Sequence, residues 1–211
     1  MSGGRVPQEA VWRASAAIRH GQVVAAPTDT LYGLLANASD RRAVRNLFRI
    51  KGRPESKPIL LLVDSLARLD RIVCCRPRAF GPLAERFWPG PLTLVLPARA
   101  EVPDAVTAGT GTVAVRLPRS ALVRALGLGA NCPLTGTSAN RSGRAGGRSA
   151  DEVVAQLGNR VPLVLDAGRA RHAQPSTIVD LVSDEPRILR AGRVGADEIE
   201  RALRGVTKLW G

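Results

Sequence analysis

The stretch I-K-G-R-P-E-S-K-P, residues 50–58, decides how the chain is read. Upstream of it, Ser39 and Asp40 can cap a helix, and Val44, Leu47, Phe48 and Ile50 give that helix an apolar stripe, so a helix runs into the stretch and ends near Gly52-Arg53-Pro54. Downstream, residues 59–63 read I-L-L-L-V, the continuous apolar run expected of a strand covered on both faces. A helix is therefore joined to a buried strand by a basic loop, which is an α/β junction. The stretch also holds Lys51 and Lys57, two of the three lysines in the protein, whereas twenty-eight of its thirty-one basic residues are arginine. Where arginine takes nearly every basic position, a retained lysine marks a place for a compact ammonium on a flexible stem rather than a planar guanidinium.

Working outward, the same alternation continues. A helix is predicted over residues 8–20, a strand over 23–26, then a polar turn Thr28-Asp29-Thr30 before residues 31–34. Helices follow over 65–73 and 78–88, a strand over 92–96, a loop over 97–111, a strand over 112–116, a helix over 119–126 stopped by Gly127, and a strand over 133–136. Residues 144–148 are the most flexible on composition; Ser149 and Glu152 then have capping-box spacing for a helix through residue 157. Strands over 161–165, 177–182 and 187–189 and a last helix over 197–203 complete the pattern. The expected fold is α/β: a twisted, open mixed sheet flanked by helices, in a single domain spanning residues 1–211.

Composition bounds the function. With 45% apolar and 23% charged residues in 211, the chain can bury one sizeable core. A net charge of +13 draws polyanions, although arginine spread along every segment is also what a solvated surface would show. Cys74, Cys75 and Cys132 form no C-x-x-C, so neither a disulfide framework nor a zinc site is expected, and a reducing cytoplasm fits. No leader and no membrane span is expected.

Familiar motifs fall away next. No lysine follows a glycine, which removes the P-loop; the loose G-x-G-x-x-A over residues 109–114 precedes a strand and opens no helix. Only His20 and His172 exist, so no histidine metal cluster forms, and a serine triad through His172 lacks its nucleophile elbow. What remains is a set of hydroxyls, amides and cations at strand ends: Thr28, Thr30, Lys51, Arg53, Lys57, Thr112, Arg116, Ser138, Asn140, Ser176, Arg190 and Arg193. Each alone is ordinary turn or helix-end chemistry. Gathered at one sheet edge they would line a cleft for an anion such as a triphosphate, where catalysis rests on positioning and electrostatics.

Read together, P-T-D-T-L-Y-G-L (27–34), K-G-R-P-E-S-K-P (51–58), P-G-P-L-T (89–93), V-A-V-R-L-P (113–118), T-S-A-N-R-S-G (137–143), S-T-I-V-D (176–180) and I-L-R-A-G (188–192) resemble the YrdC family of threonylcarbamoyl-AMP synthases, in family order over about residues 8–204. The resemblance implies a YrdC/RibB-like fold. It also implies a reaction in which L-threonine, bicarbonate or CO₂, and ATP give threonylcarbamoyl-adenylate and pyrophosphate, with Mg²⁺ as helper and no structural metal held by the protein. A separate transferase complex would then modify transfer RNA.

By position, the resemblance assigns Thr30, Arg116 and Ser176 to threonine, and Lys51, Arg53, Ser138 and Asn140 to the ATP phosphates and catalysis. It adds Lys57, Thr112 and Arg190 as ATP contacts. Relatives often carry a histidine a few residues beyond Pro58, where this chain reads Ile59-Leu60-Leu61-Leu62. Longer relatives add a second C-terminal domain, and the chain resembles the short form. Lys51 is expected on a solvent-facing helix end, so that its removal costs little stability. The competing class is an RNA-binding module, which the scarcity of aromatic residues, 3%, disfavours.

Overall fold

The computed structural model describes residues 6–170 and 174–205. The chain runs α1 (Gln8–Arg19), β1 (Val24–Pro27), β2 (Tyr32–Leu35), α2 (Arg41–Lys51), β3 (Leu61–Leu62), α3 (Leu66–Leu69), α4 (Phe80–Phe87), β4 (Leu92–Pro97) and α5 (Asp104–Thr107). It continues β5 (Thr112–Arg116), α6 (Ala121–Ala130), β6 (Leu134–Thr135), β7 (Thr137–Ser138), α7 (Ala150–Leu157), β8 (Leu163–Val164), β9 (Thr177–Asp180), β10 (Arg187–Arg190) and α8 (Ala196–Leu203).

The strands form two open mixed sheets: one of four strands, ordered β7-β2-β1-β8, and one of six, ordered β10-β9-β4-β5-β3-β6. The strand expected over residues 133–136 explains the division. Leu134 and Thr135 pair with β3 in the larger sheet, whereas Thr137 and Ser138 pair with β2 in the smaller. The chain changes sheets at Gly136, where a Cβ would lie 2.4 Å from Leu60 Cδ2 and 2.8 Å from Leu62 Cγ, so a larger residue would push these leucines aside. Thr135 N–H donates to Ala36 C=O and stitches the sheets together.

Burial on two faces follows from the apolar runs. In β1 and the residue before it, Val23 and Ala25 enter the larger core while Val24 and Ala26 enter a second core beneath α1 and α6. Leu61 and Leu62 of β3 divide the same way. The run over 59–63 is thus buried on both faces as expected, but its ladder is only two residues long. Ile59 N–H bonds Val106 C=O and Val63 N–H bonds Arg116 C=O at its ends.

Some boundaries differ from expectation. The helix predicted to stop at Gly127 runs on to Ala130, because α1 packs closely across it, with Ser15 Oγ 2.7 Å from where a Gly129 Cβ would be; Asn131, at φ 53°, ends it instead. The predicted 97–111 loop contains one helical turn, α5, and the predicted 65–73 helix shrinks to α3. Ser149 caps α7 by accepting from Glu152 N–H at 3.2 Å, but the Glu152 carboxylate accepts from Arg148 N–H rather than completing the box. Residues 144–148, expected to be flexible, are tied down by bonds from Tyr32 N–H to Gly147 C=O and from Gln156 Nε2 to Ala145 C=O. His172 lies outside the described residues. Among the described residues no helix is long and apolar enough to cross a membrane.

Candidate active site

Asp40 caps α2, accepting from Arg42 N–H at 2.8 Å, and Gly52 closes it in the left-handed region at φ 64°. These caps fix Lys51 as the last helical residue. It does not face solvent: only 4% of it is exposed. Its Nζ donates to Ser138 C=O at 2.6 Å, Asn140 Oδ1 at 2.8 Å and Asn140 C=O at 3.2 Å, with Ser138 Oγ at 3.3 Å. Four acceptors surround three N–H bonds, because the helix end reaches across to β7 and the turn after it. Ser138 Oγ donates to Asn140 Oδ1, and Asn140 Nδ2 donates to Arg141 and Arg144 C=O.

Burial, and then the nearby Arg53 guanidinium, pull the Lys51 pKa from 10.5 down to about 8. It is an ammonium at neutral pH. Arg53 donates from Nη2 to Pro58 C=O at 2.9 Å, while its buried Nε meets no acceptor among the described residues. Arg53 also lines a basic cavity of about 590 Å³ along α2, with Arg42, Arg45 and Arg49.

A second group forms at one edge of the six-stranded sheet. β4 runs antiparallel to β5 and parallel to β9, and β10 returns antiparallel to β9. That arrangement brings the start of β4 and β9 beside the end of β5 and β10. Arg190 donates to Ser176 C=O at 2.8 Å and to Ser176 Oγ at 3.1 Å, and Ser176 Oγ bonds Thr93 Oγ1 at 2.8 Å. Arg116 is 4% exposed, and its Nη2 stands 3.5 Å from Asp29 Oδ1. Burial lowers its pKa, Asp29 opposes the fall, and Arg190 adds to it.

The loop between β1 and β2 connects the groups. Thr28 Oγ1 holds its backbone, donating to Leu31 C=O at 2.8 Å and accepting from Thr30 N–H at 3.1 Å; its hydroxyl also meets Thr30 Oγ1 at 3.0 Å. Asp29 extends from this loop to Arg116 in the larger sheet. Just beyond it, Gly33 pairs with Ser138, and Ala139 N–H donates to Tyr32 C=O. The 28–31 loop thus sits between the Lys51-Ser138-Asn140 group and the Arg116-Ser176-Arg190 group.

Two expected residues stand apart. Thr112 begins β5, and four residue steps at about 3.3 Å each separate its Cα from Arg116; its hydroxyl bonds Thr110 Oγ1. Lys57 is exposed, and no side-chain hydrogen bond or ion pair joins it to either group among the described residues. Conversely, Asp29 and Thr93 belong to the site without having been singled out, although the P-T-D-T and P-G-P-L-T stretches contain them. A lone aspartate between threonines reads as turn chemistry until the fold supplies Arg116. Chemically, each group can hold an oxyanion and offset its charge.

A family model covering Sua5, YciO and YrdC proteins, described as "Telomere recombination", matches residues 16–192. The chain belongs to this family. It is 38% identical over 199 residues to a protein of Pyrococcus abyssi named threonylcarbamoyl-AMP synthase, covering 94% of this chain and 58% of that protein. It is 38% identical over 190 residues to a putative threonylcarbamoyl-AMP synthase of Mycobacterium leprae, covering 90% of this chain and 86% of that one. Among solved structures, P. abyssi Sua5 complexed with L-threonine superposes with a TM-score of 0.92 at 38% identity, over 96% of this chain and 59% of that one. This Sua5/YciO/YrdC chain therefore spans little more than half the length of the archaeal relative.

Proposed function

We propose that the chain is a threonylcarbamoyl-AMP synthase, a nucleotidyltransferase that converts L-threonine, bicarbonate or CO₂, and ATP to threonylcarbamoyl-adenylate and pyrophosphate. The observation that carries this reading is that one segment touches two cationic groups: Asp29 reaches Arg116, and β2 directly after it pairs with Ser138, which holds Lys51. The ammonium of threonine first gives up a proton to solvent; the neutral amine then bonds to the carbon of CO₂ and releases a second proton to solvent, and a carbamate oxygen attacks the α-phosphorus of ATP. The bond from that phosphorus to the bridging oxygen breaks and pyrophosphate leaves.

Two anions must meet in this step, and the cationic site offsets their repulsion. Arg116, Thr30 and Ser176 hold threonine, Arg116 through its carboxylate. Lys51, Arg53, Ser138 and Asn140 hold the phosphates, where the Lys51 ammonium offsets charge developing on the leaving pyrophosphate. Arg190, bonded to Ser176, reaches the nucleotide from the threonine side, and Lys57 and Thr112 are outer contacts. Among the described residues no three metal-ligating side chains cluster; Mg²⁺ enters with the substrate as Mg·ATP, on phosphate oxygens.

The remaining setting is the cytoplasm, with residues 1–211 as one YrdC-like domain whose adenylate passes to a separate transferase complex acting on transfer RNA. The RNA-binding alternative gains nothing from relatives named as synthases. Pyrophosphate release from ATP tests the proposal. It is expected only when threonine and bicarbonate are both present; release indifferent to either, or none at all, contradicts it.

A further inference from the structure

Asp29 is the only anion among the side chains named in the site, and it is incompletely partnered. Its side chain is 10% exposed, and Oδ1 stands 3.5 Å from Arg116 Nη2, beyond a charge-assisted hydrogen bond. Neither Asp29 oxygen, nor Arg116 Nε, meets a hydrogen-bond partner among the described residues. A buried carboxylate and guanidinium usually close into a bidentate pair, because unmet hydrogen-bonding capacity on a buried ion is costly. Here the two stand back from each other, one with acceptors to offer and the other with a donor.

The loop explains why Asp29 stays uncommitted. The Thr28 hydroxyl fixes the backbone on both sides of it and leaves its side chain unbonded, so that rotation of the carboxylate meets no bond to break. A ligand that satisfies both members at once must carry a donor-rich cation and an acceptor-rich anion on adjacent atoms, which describes the zwitterion of an α-amino acid. A simple anion would satisfy Arg116 and leave Asp29 unmet. With Arg190 close enough to repel Arg116, a site lacking Asp29 would favour any carboxylate or phosphate.

We propose that Asp29 is a specificity-determining residue: its carboxylate receives the α-ammonium of the amino-acid substrate while Arg116 takes the α-carboxylate. The inference rests on the reading of this pocket as the threonine site, and it adds a determinant for the amino group. On binding, the 3.5 Å pair is bridged by the substrate. Asp29 thus selects amino acids over hydroxy acids of the same size.

Calorimetric titration without ATP tests this, using L-threonine and the 2,3-dihydroxybutanoate that carries hydroxyl in place of ammonium. Wild-type protein is expected to bind threonine about 10- to 100-fold more tightly than the hydroxy acid, the range of one charged hydrogen-bond pair. In Asp29→Asn that preference should collapse through loss of threonine affinity, with hydroxy-acid and ATP binding retained at a temperature below the variant's melting point, which falls because buried Arg116 loses its counter-charge. Equal affinities in the wild type, or a proportionate loss of both ligands in the variant, would overturn the proposal. Failure of the wild type to bind either ligand would instead strike the threonine reading itself.

Discussion

Lys51 combines two demands that conflict at the residue scale. In the proposed role it must remain charged to hold phosphate, yet it is buried, and the four oxygens of Ser138 and Asn140 are what make the charge tolerable. Lys51→Ala should therefore lower adenylate formation by at least about 100-fold, the usual loss for one electrostatic stabiliser. It should also cost about 1–3 kcal/mol of stability, since the buried acceptors lose their donor; pyrophosphate assays and denaturant melts check the two effects. The depressed pKa sets a pH signature. ATP affinity should weaken as pH rises through about 8, where the unliganded ammonium deprotonates, and titration of a non-hydrolysable ATP analogue across that range tests it.

Stability moves the other way. Between about 8 and 10.5 the unfolded chain holds the Lys51 proton that the folded chain has released, so the Lys51 contribution makes the fold more stable with rising pH in that window. The difference in melting midpoint between wild type and Lys51→Met should shift accordingly. Composition singled out Lys51 only together with Lys57, because lysine occupies just three of the thirty-one basic positions. Its burial was not legible, since a lysine closing a helix reads the same whether the next object is water or a turn 87 residues away.

At the scale of elements, β4 and β5 were legible because each is a single run of apolar or alternating residues bounded by turn residues. The division into two sheets was not. It depends on strands of two residues each, and on Gly136 leaving room for the Leu60 and Leu62 side chains between them. The start of β9 is held in a similar way. A Cβ on Gly192 would lie 2.5 Å from Ser176 C and Thr177 N and 2.6 Å from Pro175 C=O, all backbone atoms that have no rotamer to yield. Gly192→Ala should displace Ser176 and with it the Arg190 contact. The expected result is a raised KM for threonine and a loss of about 1–3 kcal/mol of stability, as for other overpacked sites, measured by threonine titration of activity alongside a denaturant melt.

Over the whole molecule, and under the proposed function, the net charge of +13 and the buried position of Arg116 separate how ATP and threonine would be met. ATP approaches through the field of many exposed arginines, which salt screens over about 10 Å at 0.1 M. Threonine would arrive as a zwitterion without net charge and meet the buried Arg116, which salt reaches poorly. Raising ionic strength should therefore increase the KM for ATP several-fold and leave that for threonine nearly constant, as steady-state kinetics in graded salt would show. The family was legible because its motifs fall at strand ends that topology collects. The link through Asp29 was not, because it joins residues of different sheets.

The most direct test of the proposed chemistry follows carbon. With ¹³C-bicarbonate, threonine and ATP, mass spectrometry of the quenched reaction should find an adenylate that carries both threonine and the labelled carbon. An unlabelled threonyl-adenylate, or ATP consumed with no threonine-containing adenylate, would contradict carbamate attack on the α-phosphorus as the work of this site.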